Sequence, residues 1–146
     1  MWSMWNQSLV QDTLDSAMTL TLYPETFAVC QLSKKSSLPE WAQSGRFFSI
    51  SKTEDELSVV CETALVPEGT KGDLDWRAFK LHGPFAFDEI GVVASLTVPL
   101  AKAKIGVFVI STYDTDYLLV KEANLQKTLR VLKGNRHEVL ELKEKN

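Results

Sequence analysis

The side chains best suited to nucleophilic or metal chemistry are Cys30, Cys61, His82 and His137, the only thiols and imidazoles of the 146-residue chain. Both cysteines fall mid-strand in the sequence pattern, and no CxxC or HxxxH spacing links them to a partner. A metal centre needs roughly four clustered ligands of this kind. A reactive thiol needs a lowered pKa, usually at an exposed helix start. The two thiols therefore read as buried and inert. Residues 69–72 (GTKG) are too short for a phosphate-cradling loop and run into no helix, so they read as a turn.

One constellation remains. Phe87-Asp88-Glu89-Ile90-Gly91-Val92-Val93 joins a predicted strand to a predicted helix start. Free amides at a helix start, with the helix dipole behind them, favour an anion. Gly91 lets a ligand approach the backbone closely. Asp88 and Glu89 place carboxylates beside those amides, and Asp116 begins a neighbouring strand. Bare amides next to an acid suit a zwitterion, carboxylate to the amides and ammonium to the acid. The same residues also fit a plainer role, with Asp88 or Glu89 capping the helix and Asp116 fixing a hairpin turn.

Periodicity supplies the elements that hold these residues. Residues 18–22 and 26–32 read as strands separated by Tyr23-Pro24-Glu25. Ser37-Leu38-Pro39-Glu40 reads as a capping box opening a short helix that Gly45 closes. Residues 46–52 and 57–63 form a hairpin around Thr53–Glu56, and 64–75 are mostly loop. Residues 76–82 alternate as a strand. Val93, Leu96, Leu100 and Ala103 recur at helical spacing over 91–103, with Pro99 kinking or tightening that helix. Strands follow at 105–111 and 116–120, then a helix marked by Leu125, Leu129 and Leu132 with Gly134 as its stop, then a last strand at 138–142. The order over 76–142 is βαββαβ, the split ferredoxin-like arrangement. Residues 18–75 read as ββαββ, lacking the second helix. A four-stranded sheet with helices on one face needs a cover for the other, from the first half or from a second subunit.

Composition narrows the function. Apolar residues make up 45% and charged residues 24%, with a net charge of −3. That balance describes a globular domain and argues against nucleic acid as the main partner. No 18-residue apolar run is present to span a membrane. Residues 1–17 contain Trp2, Met4 and Trp5 but lack the basic start and unbroken apolar core of a signal peptide, so they read as an N-terminal arm with its aromatics buried. Two cysteines suit a reducing cytoplasm.

The run from Phe85 to Val120, FAFDEIGVVASLTVPLAKAKIGVFVISTYDTDYLLV, resembles the ACT domain. It looks most like the subgroup found in aspartokinase regulatory regions and animal cytosolic arginine sensors. Trp76, Gly83-Pro84, Phe87-Asp88-Glu89, Gly91, Pro99-Leu100-Ala101, Ile110-Ser111-Thr112-Tyr113 and Asp116 fall at that subgroup's spacing. The resemblance is strong over 76–133 and weaker over 17–63. It implies an α+β fold of two tandem ferredoxin-like (ACT) units, a degenerate half at 18–75 and a complete βαββαβ unit at 76–146. It also implies a non-catalytic, cofactor-free, cytoplasmic regulatory module that binds a free amino acid and works as a homodimer, with a regulated protein partner to be identified.

The resemblance carries over residue by residue. Glu89 matches a side-chain contact of the sensors, and Asp116 the acid after their serine-threonine-aromatic run. Gly91, Val92 and Val93 match the amide loop, with Ile90 before them also a ligand-binding candidate, and Thr112 and Tyr113 match the segment closing over the ligand. Gly106 and Val107 match strand positions facing the ligand from a partnering unit. Ile90 and Gly106 stand where relatives carry polar or sulfur side chains, so ligand identity does not transfer. The alternative is an ACT fold kept as a dimerisation platform without a small ligand.

Overall fold

The computed structural model describes residues 17–83 and 91–144. The expected arm with Trp2, Met4 and Trp5, and the acidic residues Asp88 and Glu89 with Ile90, lie outside them. Seven strands form one sheet: β1 (Thr19–Leu32), β2 (Ser49–Lys52), β3 (Leu57–Glu62), β4 (Gly72–Leu81), β5 (Phe108–Ser111), β6 (Asp116–Lys121) and β7 (Glu138–Glu141). Helix α1 (Ala94–Lys102) connects β4 to β5, and α2 (Leu125–Gly134) connects β6 to β7. The element order over the second half is the expected βαββαβ.

The strand pairing joins the two stretches read as separate units into one sheet. The sheet runs β2-β3-β1-β4-β6-β5, with β7 beside β1. In a free-standing unit β7 would lie against β4. Here the first half of β1 lies between them, Leu20 opposite both Leu81 and Val139. The second half of β1 turns its free edge to β3, Cys30 opposite Val59. One long strand thus serves both stretches, and β4 runs unbroken through residues 75 and 76.

Pro24 explains why β1 looked like two strands. Its missing N–H breaks a ladder, which a strand tolerates only at an irregularity. The β1–β4 register slips between Leu22 and Thr26, where Pro24 lies. The Arg77 guanidinium donates to the Tyr23 carbonyl at 3.0 Å, satisfying a backbone group at that slip. Alternation still sets the faces: Leu20 and Leu22 lie on the helix side, whereas Tyr23 and Phe27 lie on the other.

The helix-side core gathers Leu20, Leu22, Phe79, Leu81, Leu118 and Val120 from the strands against Leu96, Leu100, Leu125 and Leu132 of the helices. The opposite face is aromatic. Phe47 stacks on Tyr117 at 4.3 Å between ring centres, and Trp76 meets Phe108 edge-on at 6.0 Å. A third cluster holds Cys30 and Cys61 with Ala28, Val59 and Ala42. Burial pushes the Cys61 thiol up to about 11, with Cys30 nearby adding to it. Both thiols are free and buried.

Several local signals resolved differently. The 37–40 box forms no side-chain cap, and only a 3-10 turn over Glu40–Ala42 follows Pro39. Gly45 does turn left-handed, with φ of 83°. Gly134 is the last residue of α2, and the left-handed stop falls on Arg136, with φ of 68°. Lys104 does the same for α1, with φ of 63°. In each case a later amide reaches back five residues, Ile105 to Leu100 and His137 to Leu132, closing the helix end.

His137 is buried, and its Nδ1 accepts the Met18 amide at 3.0 Å, tying β7 to the start of β1. Burial holds its pKa below the ordinary imidazole value, against a smaller opposing contribution from Ser95. The fold therefore favours the neutral ring. Its contribution to stability is whole above the unfolded pKa of about 6.5 and is lost as pH falls from there through the lowered folded value. The melting temperature is expected to drop between about pH 7 and about pH 5, and His137→Gln should flatten that part of the profile. An unchanged profile in the variant would remove His137 as the cause.

Candidate functional site

Several expected site residues meet at one end of the sheet. The β4 strand ends there at Leu81, opposite Leu20 near the start of β1. The β5–β6 hairpin turns at the same end, because the buried Thr115 hydroxyl donates to the Leu81 carbonyl at 2.7 Å. Helix α1 begins there as well: the Ser95 hydroxyl donates to the Val92 carbonyl at 2.6 Å and touches the Met18 sulfur at 3.5 Å. Parallel β4 and β5 joined by one helix force this layout, since the helix must start where the first strand ends.

The start of α1 is open in the sense an anion requires. Gly91 has φ of 77°, a left-handed conformation that costs an L side chain about 1–2 kcal/mol. Its carbonyl accepts the Ser95 amide at 2.9 Å, and that of Val93 accepts the Thr97 amide at 2.9 Å. Among the described residues no side chain caps this helix, and Asp88 and Glu89 lie outside them. Val92 is 6% exposed and sits in the helix-side core, whereas Val93 is half-buried. The helical spacing had assigned the core position to Val93, and the structure moves it to Val92. Val92→Ala is expected to cost about 1–2 kcal/mol by urea unfolding, and Val93→Ala clearly less. The reverse order would contradict this packing.

The hairpin supplies the facing wall. The Ser111 hydroxyl donates to Asp116 Oδ1 at 2.5 Å, and the Thr112 amide donates to the Thr115 carbonyl at 2.8 Å. Asp116 therefore fixes the hairpin, the plainer of its two expected roles, while staying half-buried at the sheet end. Tyr113 projects from the turn, 80% exposed. Sequence reasoning missed Thr21 and His82 at this end. Thr21 Oγ1 lies 2.5 Å from His82 Nε2. The signal was the placement of His82 just before Gly83-Pro84, where the strand must stop.

Gly106 and Val107 are not part of this cluster in the single chain. They precede β5, whereas Thr112 and Tyr113 follow it. Across six residues of extended chain that is roughly 15–20 Å. Among the described residues, no group of His, Cys, Asp and Glu is placed to hold a metal ion, and no helix is long and apolar enough to cross a membrane.

A family model described as ACT domain matches residues 71–134, the stretch from β4 to the end of α2. The ACT domain match thus covers the second half of the chain, up to the end of α2. A second model, of an N-terminal domain, matches residues 25–69. The crystal structure of protein Atu0741 from Agobacterium tumefaciens superposes with a TM-score of 0.84 at 39% identity, over 90% of this chain and 98% of that one. The cytosolic arginine sensor for mTORC1 subunit 1 of Bos taurus is 32% identical over 145 residues, 84% of this chain and 44% of the sensor. The chain thus spans less than half the length of the curated relatives it matches. The regulatory subunit of aspartate kinase from Thermus thermophilus shares the fold, with a TM-score of 0.52 at 9% identity over 84% and 95% of the two chains.

Proposed function

We propose that this chain is a non-catalytic regulatory module that binds a free amino acid at the start of α1. The reading is supported by one observation above others: a helix start with no side-chain cap among the described residues, and with a left-handed Gly91, shares a sheet end with Ser111, Thr112 and Asp116. The ligand carboxylate meets the amides of Val92 and Val93. Glu89, outside the described residues, supplies the acid for the ammonium, and Thr112 and Tyr113 close over the ligand. The sensor and regulatory-subunit names of its relatives support a regulatory role.

The working state is a homodimer. Among the described residues β5 is an edge strand, and its outer side offers a place for another copy. Antiparallel pairing of two β5 edges brings the start of one beside the end of the other. Gly106 and Val107 of a second copy then reach Thr112 and Tyr113 of the first, which accounts for their separation within one chain. A stable contact of this kind buries at least ~1,200 Å². Calorimetric titration with each standard amino acid, alongside light scattering, tests the reading. Binding by a dimer is expected. A dimer that binds no amino acid at millimolar concentration would favour a dimerisation platform, and a monomer at tens of micromolar would contradict the assembly.

A further inference from the structure

The helix layer carries a charge opposite to that of the rest of the molecule. Residues 91–113 and 123–137 hold both helices, and they contain Lys102, Lys104, Lys127, Arg130, Lys133 and Arg136 but no Asp or Glu. The chain's net charge is −3, so all other residues together carry −9 against these six cations. Both helices pack on one face of the sheet, so the charges share one layer. All six are exposed, and none joins the ion pairs found among the described residues, which use Arg46, Arg77 and Lys121.

Helix stabilisation accounts for only part of this pattern. Lys102 and Lys133 lie in last turns, where the dipole favours a cation. Lys127 is the third residue of α2, where the dipole disfavours one, and Arg130 lies mid-helix. Between the helices, Pro99, Lys102 and Ala103 face Val131, Gly134 and Asn135 across an open groove of about 450 Å³. Val98, beside Pro99, is 40% exposed. The surface thus combines a short groove with cations that join no ion pair among the described residues.

We propose that this layer docks an acidic segment of a partner protein, with an apolar side chain in the groove and carboxylates on Lys102, Arg130 and Lys133. The observations favour a protein segment over other polyanions. Neither helix contains an aromatic residue on which a base could stack. The exposed apolar area is a groove rather than the broad face that enters a membrane. The proposal stands apart from the amino-acid site, since the groove is built from the ends of α1 and α2 rather than the start of α1.

The test uses a fluorescent peptide of about a dozen residues with Leu flanked by Asp and Glu, long enough to cover a short groove. Its anisotropy is followed on the full chain, and a peptide with Lys in place of the acids serves as the control. Binding of the acidic peptide alone is expected, weakening several-fold or more from about 50 to about 500 mM salt. The combined Lys102→Glu, Arg130→Glu and Lys133→Glu change should abolish it. The milder Lys→Gln and Arg→Gln set should weaken it while circular dichroism stays unchanged. Lys52→Glu, on β2, should leave it intact. The proposal fails if the peptide does not bind at millimolar concentration, or if charge reversal leaves its affinity unchanged. Tighter binding of a single-stranded oligonucleotide or of phosphatidylserine vesicles would likewise overturn it.

Discussion

Gly91→Val is expected to abolish measurable amino-acid binding while the chain stays folded. Two amides at a helix start, each donating to a carboxylate, contribute about 1.5–3 kcal/mol apiece. A β-branched side chain at that position blocks the carboxylate's approach and pulls the backbone from its φ of 77°. Loss of both bonds corresponds to a fall in affinity of about 100-fold or more. Backbone strain alone would lower stability by about 1–2 kcal/mol. Gly69→Val separates the two effects. Gly69 has φ of 87°, open space around its Cα and a place in the loop before β4, a full strand away from the site. That variant should incur similar strain and keep full affinity. Equal binding by wild type and Gly91→Val would mean that the carboxylate is held elsewhere.

Phe79→Ala is expected to give the largest loss of stability, about 3–5 kcal/mol by urea unfolding. Phe79 is fully buried near the end of β4, opposite Leu22 of β1 and Leu118 of β6, in the core beneath the helices. Its removal leaves a cavity where strands from both parts of the chain meet. Because β1 joins those parts, the whole chain should unfold in one shifted transition. Two separated transitions, with only one of them shifted, would show that residues 18–75 and 76–146 are independent units after all.

The elements most legible in sequence were those with clean periodicity. Leu125, Leu129 and Leu132 gave α2, and Leu96 and Leu100 gave α1, because apolar residues recurring every 3.6 positions line up on one face only in a helix. The hairpin of β2 and β3 was equally readable. What the pattern could not carry was pairing. Alternation in β1 reports which faces are buried, and says nothing of whether the strand's free edge meets β3, β7 or both. Pro24 read as a break because a proline costs a ladder bond, and only the register slip reveals how the strand continues past it. The capping box and the Gly134 stop failed for a related reason. Local motifs set weak preferences, and buried neighbours such as Ala42 and His137 decide where the chain turns.

At the candidate site, the sequence placed Gly91 to Val93 and Thr112 to Asp116 on the right elements, because a strand-helix-strand order fixes which ends coincide. It gave Val93 the core position of Val92, because both residues precede Ala94, where the helix begins, and the helical spacing of Leu96 and Leu100 does not extend back to them. It also passed over His82 and Thr21. Their pairing depends on β1 lying beside β4, the one feature of topology that spacing along the chain does not encode.

Amide spectra recorded by NMR during titration with the amino acid that binds most tightly in calorimetry test the central claim most directly. The account predicts that the largest shifts fall on Gly91, Val92, Val93 and Ala94, with a second group at Ser111 to Asp116. It also predicts smaller shifts at Gly106 and Val107 as a second copy closes the pocket. Saturable shifts confined to other surfaces, with the start of α1 and the β5–β6 hairpin unmoved, would contradict it.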